Sequence, residues 1–167
     1  MKRKIYLIYG LYIILISAVL VSGADGAETK KLKNPDIYYV DSHMLKLVPV
    51  ELLCKENSVE GQAKAVISQL IEGKDKNRKI RRMIPDIKNC LTVKVEDDTA
   101  YVDIAEKSIK YFPDGRIAEE LVVFQIVNSL TSIEGIVKVK FTIDKKPQKS
   151  FKGFIDMRET FIPDYYV

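Results

Sequence analysis

The stretch Leu91–Ile104, LTVKVEDDTAYVDI, leaves this chain the least freedom. Apolar and polar residues alternate on both sides of Asp97-Asp98, and a period of two is the mark of a strand with one buried face. With a two-residue turn at the aspartates, Val95 stands opposite Ala100, Val93 opposite Val102 and Leu91 opposite Ile104. All six apolar side chains then share one face. Thr92, Lys94, Tyr101 and Asp103 share the other, with Lys94 opposite Tyr101. A slip of one residue would turn every apolar side chain to water, so the hairpin has a single register.

The other elements are read outward from this hairpin. Ile37–Val40 reads as a strand and Asp41-Ser42-His43 as a turn, with a second arm, Met44–Leu53, disturbed at Pro49. A helix is expected from Asn57, which can cap it with Glu60 in the reciprocal position. Ala63, Val66, Ile67 and Leu70 form its apolar stripe, and Gly73 stops it. After the turn Phe112-Pro113-Asp114-Gly115, a second helix runs from Arg116 to Ser132. Its stripe of Val123, Ile126, Val127, Leu130 and Ile133 is widened by Leu121, Val122 and Phe124, so it should be the more buried helix. Gly135 ends it. Ile136–Ile143 then predicts a strand with Val137, Val139, Phe141 and Ile143 inward and Lys138, Lys140 and Thr142 outward. A short closing strand is expected near Phe151–Met157, before an aromatic tail, Phe161–Val167. The order ββαββαβ predicts an α+β two-layer sandwich: a mostly antiparallel sheet with two amphipathic helices.

The start of the chain is of a different kind. Lys2, Arg3 and Lys4 precede Ile5–Val21, which is apolar apart from Gly10, Ser17 and three tyrosines. A basic cluster before an apolar run is the export pattern, and it predicts an extracytoplasmic domain. Residues 1–24 are read as a signal peptide or an N-terminal membrane anchor. Ser22-Gly23-Ala24 offers a cleavage site, whereas Tyr6, Tyr9 and Tyr12, at helical spacing, suit a retained anchor, the reading we favour. No cysteine follows the run, so no lipid-modified cysteine is expected there. Residues 25–35 read as a polar linker closed by Asn34-Pro35, and residues 36–167 as a single domain.

The formal charge of +4 is carried mostly by that basic cluster, and beyond it basic and acidic residues nearly balance. General binding to nucleic acid is therefore not expected. Within the domain, Lys74–Lys88 concentrates Lys74, Lys76, Arg78, Lys79, Arg81, Arg82 and Lys88. The segment is either a solvated loop or a contact for an acidic partner, an anionic lipid surface or a wall polymer. Arg78, Lys79, Arg81 and Arg82, with the outward Lys138 and Lys140, are the candidate interaction surface. Cys54 and Cys90 each border an expected element. Outside the cytoplasm they could form a disulfide, or they are two separate thiols.

Catalytic constellations are missing. His43 is the single histidine; it follows Asp41 and Ser42 in a turn, where consecutive side chains point apart, and neither cysteine has a histidine nearby. No Gly-x-Gly-x-x-Gly, P-loop or Cys/His zinc spacing occurs, so no cofactor or metal is expected. Glu96, Asp97 and Asp98 lie at a hairpin tip in water. Asp103 and Asp156 each follow an apolar strand residue and are the carboxylates to test for wall-hydrolase chemistry, with a hydrogen-bonding role as the plainer reading.

Several of these stretches resemble one family. Leu91–Ile104 is similar to the central hairpin of the GerMN domain of sporulation and spore-germination proteins. Leu121–Lys145 resembles that domain's second helix and following strand, including Asn128-Ser129-Leu130-Thr131 and the re-entry at Gly135-Ile136-Val137. Pro85-Asp86 matches its turn before the hairpin, Gly153, Asp156 and Pro163 its closing pattern, and Ile37–Val50 its opening hairpin. The aspartate pair at the turn, the single copy of the domain and the missing lipidation cysteine depart from the family's usual pattern. The resemblance implies a fold akin to the ring-building motifs of secretion-like channels and a role outside enzymology. That role is assembly or scaffolding in a sporulation or germination membrane complex, with other envelope proteins as partners and self-assembly through strand edges. The alternative expectation is a wall- or anionic-lipid-binding module that uses residues 74–88.

Overall fold

The computed structural model describes residues 32–44, 46–73 and 80–167. The expected export segment and most of the expected linker lie outside these residues. Residues 31–167 form one compact unit.

Strands β1 (Asp36–Asp41) and β2 (Leu47–Glu51) form the opening hairpin, with Val40 opposite Leu47 and Tyr38 opposite Pro49. Pro49 is tolerated because β2 is the outer strand of its sheet and needs no N–H on the open side. Helix α1 (Val59–Glu72) buries Ala63, Val66, Ile67 and Leu70, the stripe read from the sequence, together with Gln62. Its cap is Ser58, one residue after the asparagine expected, and the Ser58 hydroxyl accepts from the Gly61 amide at 3.0 Å. Glu60 pairs instead with Lys64 at 2.6 Å. Gly73 ends the helix in the left-handed region at φ 57°, and its N–H donates to the Gln69 carbonyl. A side chain there would also meet Arg82, whose Nε lies 2.5 Å from where a Cβ would stand.

The stretch expected to be all loop contains a third strand. Ile80–Arg81 (β3) pairs antiparallel with Val40 and Asp41, giving a first sheet of order β2-β1-β3. Strands β4 (Leu91–Glu96) and β5 (Thr99–Ile104) have the register read from the sequence at every pair, with Asp97 at φ 52° in the turn. A short 3-10 segment (Glu106–Tyr111) leads to helix α2 (Arg116–Thr131) and strand β6 (Lys138–Ile143).

β6 pairs with β5 in parallel, Ala100 opposite Val139 and Ile104 opposite Ile143. The α+β class is as expected, but the strands divide between two three-stranded sheets, one antiparallel and one mixed. The reason is the connection: a strand, a helix and a return strand close most readily as a parallel crossover. Val137, expected inward, is exposed, and Ile136 is buried in its place, because the ladder begins only at Lys138. Phe151–Met157 forms no strand. The tail supplies instead a bridge from Phe161 to Val139, with both backbone bonds at 2.8 Å.

Helix α2 is the centre of this unit. Eleven of its sixteen residues are buried, and it packs on β1, β6 and α1. Its last turns also satisfy the backbone of β1. The Ser129 hydroxyl accepts from the Tyr38 amide at 2.8 Å. That of Ser132 accepts from the Asp36 amide at 2.9 Å and donates to the Asp36 carbonyl at 2.8 Å. A strand edge that would otherwise lie open is thus closed by side chains one helical turn apart. Asn128 does the same for the tail: its amide donates to the Asp164 carbonyl at 2.6 Å and its oxygen accepts from the Asp164 amide at 3.0 Å. The tail continues to the first sheet, where Leu47 donates to the Val167 carbonyl and Tyr165 lies 5.7 Å from the Tyr38 ring.

Candidate functional site

The carboxylates are held by the fold. One Asp103 oxygen accepts from the Thr142 hydroxyl and the Lys145 amide, both at 2.6 Å, which ties β5 to the end of β6. Asp156 forms a fork with Arg158, with contacts of 2.9 and 2.5 Å. The guanidinium holds its carboxyl at about 2, well below the ordinary 3.8. Glu119 was missed by sequence reasoning. It is fully buried on α2, and its two oxygens accept from the Ser150 hydroxyl and the amides of Lys152, Phe154 and Ile155 at 2.9 to 3.3 Å. A buried carboxylate needs such partners, and this one fixes the loop that replaces the expected last strand. The available signal was spacing: Glu119, Val123, Ile126 and Leu130 lie on one helical stripe.

The candidate basic surface is not one patch. Arg78 and Lys79 lie outside the described residues. Arg81 is exposed in β3. Arg82 is engaged at the end of α1, where its guanidinium donates to the carbonyls of Ile71 (2.9 Å) and Glu72 and stands 3.5 Å from Asp86. A cation at a helix C-terminus satisfies carbonyls that have no intrahelical partner. Lys138 pairs with Asp98 at 2.9 Å and lowers the pKa of that carboxyl. Lys140 is exposed. It shares a row across the second sheet with Tyr101 and Lys94, and Glu96, 2.5 Å from the Lys94 amine, raises the pKa of Lys94.

Cys54 and Cys90 are separate thiols in this structure. Cys90 is buried, its Sγ faces the Pro85 carbonyl at 3.5 Å, and burial pushes its pKa up. Cys54 is half-buried on the segment after β2. His43 is exposed in its turn and borders a recess of about 510 Å³ with Val48, Pro49 and Ile80. Among the described residues, no group of three His, Cys, Asp or Glu side chains could hold a metal ion. No described helix is long and apolar enough to cross a membrane.

A groove of about 520 Å³ runs between α1 and β4. Its floor is apolar, with Ile67, Ile71, Leu91 and Val93, and its rim holds Lys64, Glu72, Asp86 and Lys88. β4 is an outer strand of its sheet. The Ala105 amide donates to the Cys90 carbonyl, so Thr92, Lys94 and Glu96 also face β5 with their backbone groups. The N–H and C=O groups of Leu91, Val93 and Val95 therefore point to the open side, beside the groove.

Two three-stranded sheets held around one buried helix, with a parallel β5–β6 crossover, make an α+β domain that is similar to the GerMN domains. The first GerMN domain of the sporulation protein GerM from Bacillus subtilis is matched with a TM-score of 0.62 at 20% identity, over 78% of this chain and 97% of that one. The tandem GerMN domains of the same protein give 0.63 at 19% identity, over 79% of this chain and 46% of the two-domain chain. A candidate lipoprotein from Clostridium perfringens gives 0.56 at 20% identity, over 79% of this chain and 88% of that one. At these identities the likeness is one of fold. No curated protein sequence matches significantly. The family model Germane, described as sporulation and spore germination, matches residues 36–149, and the chain belongs to that family.

Proposed function

We propose that this protein is an extracytoplasmic envelope component that acts by assembly rather than catalysis. It would be held at a membrane by residues 1–24 and work as a scaffold in a sporulation or germination complex. Membership of the Germane family supports the process. The groove beside the open edge of β4 carries the assembly reading. It sets an apolar floor beside backbone groups that point to the open side of β4, and an added strand would cover the one and bond the other. The carboxylates that hydrolysis would require, Asp103 and Asp156, are each held in hydrogen bonds to neighbours of their own chain. Affinity capture of the full chain from sporulating cells should recover other membrane-complex proteins. Ser68→Arg, which puts a long charged side chain on the groove wall, should abolish that recovery. Capture that is unchanged by the substitution would reject the groove, and capture of no membrane-complex protein would reject the scaffold role.

A further inference from the structure

A second surface lies at the other end of α2. Several segments meet where that helix begins. The Phe112 and Phe151 rings meet edge-on at 5.5 Å, and Lys152 pairs with Asp114 at 2.7 Å. The Phe154 amide donates to Glu119, and the Glu106 amide donates to Asp144 on the turn after β6. These contacts bring Tyr111, Ile117 and Phe154 to one pole, where they are 58%, 66% and 57% exposed. Lys107, Lys110, Arg116, Lys145, Lys146 and Lys149 are exposed around them. The nearby acids compensate only in part. Glu119 is buried among its four donors, Asp114 is paired with Lys152 and Asp156 with Arg158, which leaves Glu106, Glu120 and Asp144 against the six cations.

Large apolar side chains among lysines suit a partner that is anionic at its face and apolar just beneath. A phospholipid headgroup layer has that profile, whereas a hydrated anionic polymer would answer the charge and leave Ile117 and Phe154 in water. We propose that this pole is a contact surface for an anionic bilayer, with Tyr111, Ile117 and Phe154 among the headgroups and the lysines on the phosphates. The chain joins the domain at the opposite end, since Asp36 is bonded to Ser132 just past the last turn of α2. Sixteen helical residues separate the two ends by about 24 Å. The pole therefore faces away from residues 32–36, and the inference stands independently of the scaffold reading.

Residues 31–167 are one compact unit with its own core, and the first GerMN domain of GerM is matched over 97% of its length, so this unit serves for the test. The chain contains no tryptophan, which makes Phe154→Trp a sole reporter. Its emission should shift to the blue with phosphatidylglycerol vesicles and stay still with phosphatidylcholine vesicles. In a sedimentation assay with the same vesicles, the triple variant Lys107→Gln, Lys146→Gln, Lys149→Gln should bind roughly a hundredfold more weakly, about fivefold per lysine. All three side chains lie in water, so the fold should keep its circular dichroism. Ile117→Ser with Phe154→Ser should remove the part of binding that survives added salt. An unmoved tryptophan, equal binding to neutral vesicles, or sedimentation with purified wall glycan in place of vesicles would overturn the proposal.

Discussion

The two sheets have the same number of strands but are specified in different ways. In the second sheet, β4 and β5 are adjacent in sequence, joined by two residues, and their alternation admits one register. The first sheet is finished from a distance. β1 pairs with β2 along its length but meets β3 at only two positions, and the amides of Asp36 and Tyr38 rely on hydroxyls more than ninety residues away. A local pattern can specify a hairpin by itself, whereas an edge closed by helix side chains exists only once the helix is packed. The Asn128-Ser129-Leu130-Thr131 motif and Ser132 therefore act in the fold: they hold β1 on one side and the tail on the other.

Removing the remote support should separate the sheets most clearly. Ser129→Ala combined with Ser132→Ala leaves two amides of β1 without acceptors and should cost about 3 kcal/mol in urea unfolding. Hydrogen exchange should speed up at Asp36 and Tyr38 while the β4–β5 amides stay protected. Equal loss in both sheets would mean that they open as one unit. A smaller effect of opposite sign is expected at the hairpin turn. Asp97 sits at φ 52°, a conformation glycine adopts at little cost, so Asp97→Gly should stabilise the domain by about 0.5 kcal/mol without changing protection in the first sheet. A destabilised variant would show that the aspartate side chain contributes more than its backbone costs.

The smallest effect concerns the loop that leads into the tail. The Asp156 carboxyl is held near 2 by Arg158, below its ordinary 3.8. Its stabilising contribution is complete above the unfolded value and is lost as pH falls through about 2. An NMR titration should place the midpoint near 2, and Arg158→Gln should return it toward 3.8. A midpoint unmoved by the substitution would assign the shift to other neighbours.

What could be read from the residues follows the same division. The β4–β5 register, the buried stripe of α1, the Gly73 stop and the deeper burial of α2 all depend on neighbours within a few turns or one hairpin. Ser58 displaced Asn57 as the cap, a choice between adjacent residues that periodicity does not make. β3 is two residues in a charged stretch and exists because β1 offers it an edge. The parallel placement of β6, and with it the exchange of Ile136 for Val137, follows from the crossover and not from alternation. Arg82 read as one cation of a basic run, and only the position of the end of α1 reveals its two carbonyl acceptors. Among the candidate surface residues, the pairing of Lys138 with Asp98 was likewise invisible, because it joins side chains forty positions apart.

The bonds from Ser129 and Ser132 to β1 also set an order of events. A polypeptide is made from its N-terminus, so β1 and β2 exist long before residue 129 does. Until α2 arrives, the Asp36 and Tyr38 amides have no protein acceptor, and the apolar side of the hairpin has no helix to lie on. β1 can then be completed only after α2 has been made. For that interval the nascent chain carries a half-finished sheet edge, the kind of surface on which unwanted strand pairing begins.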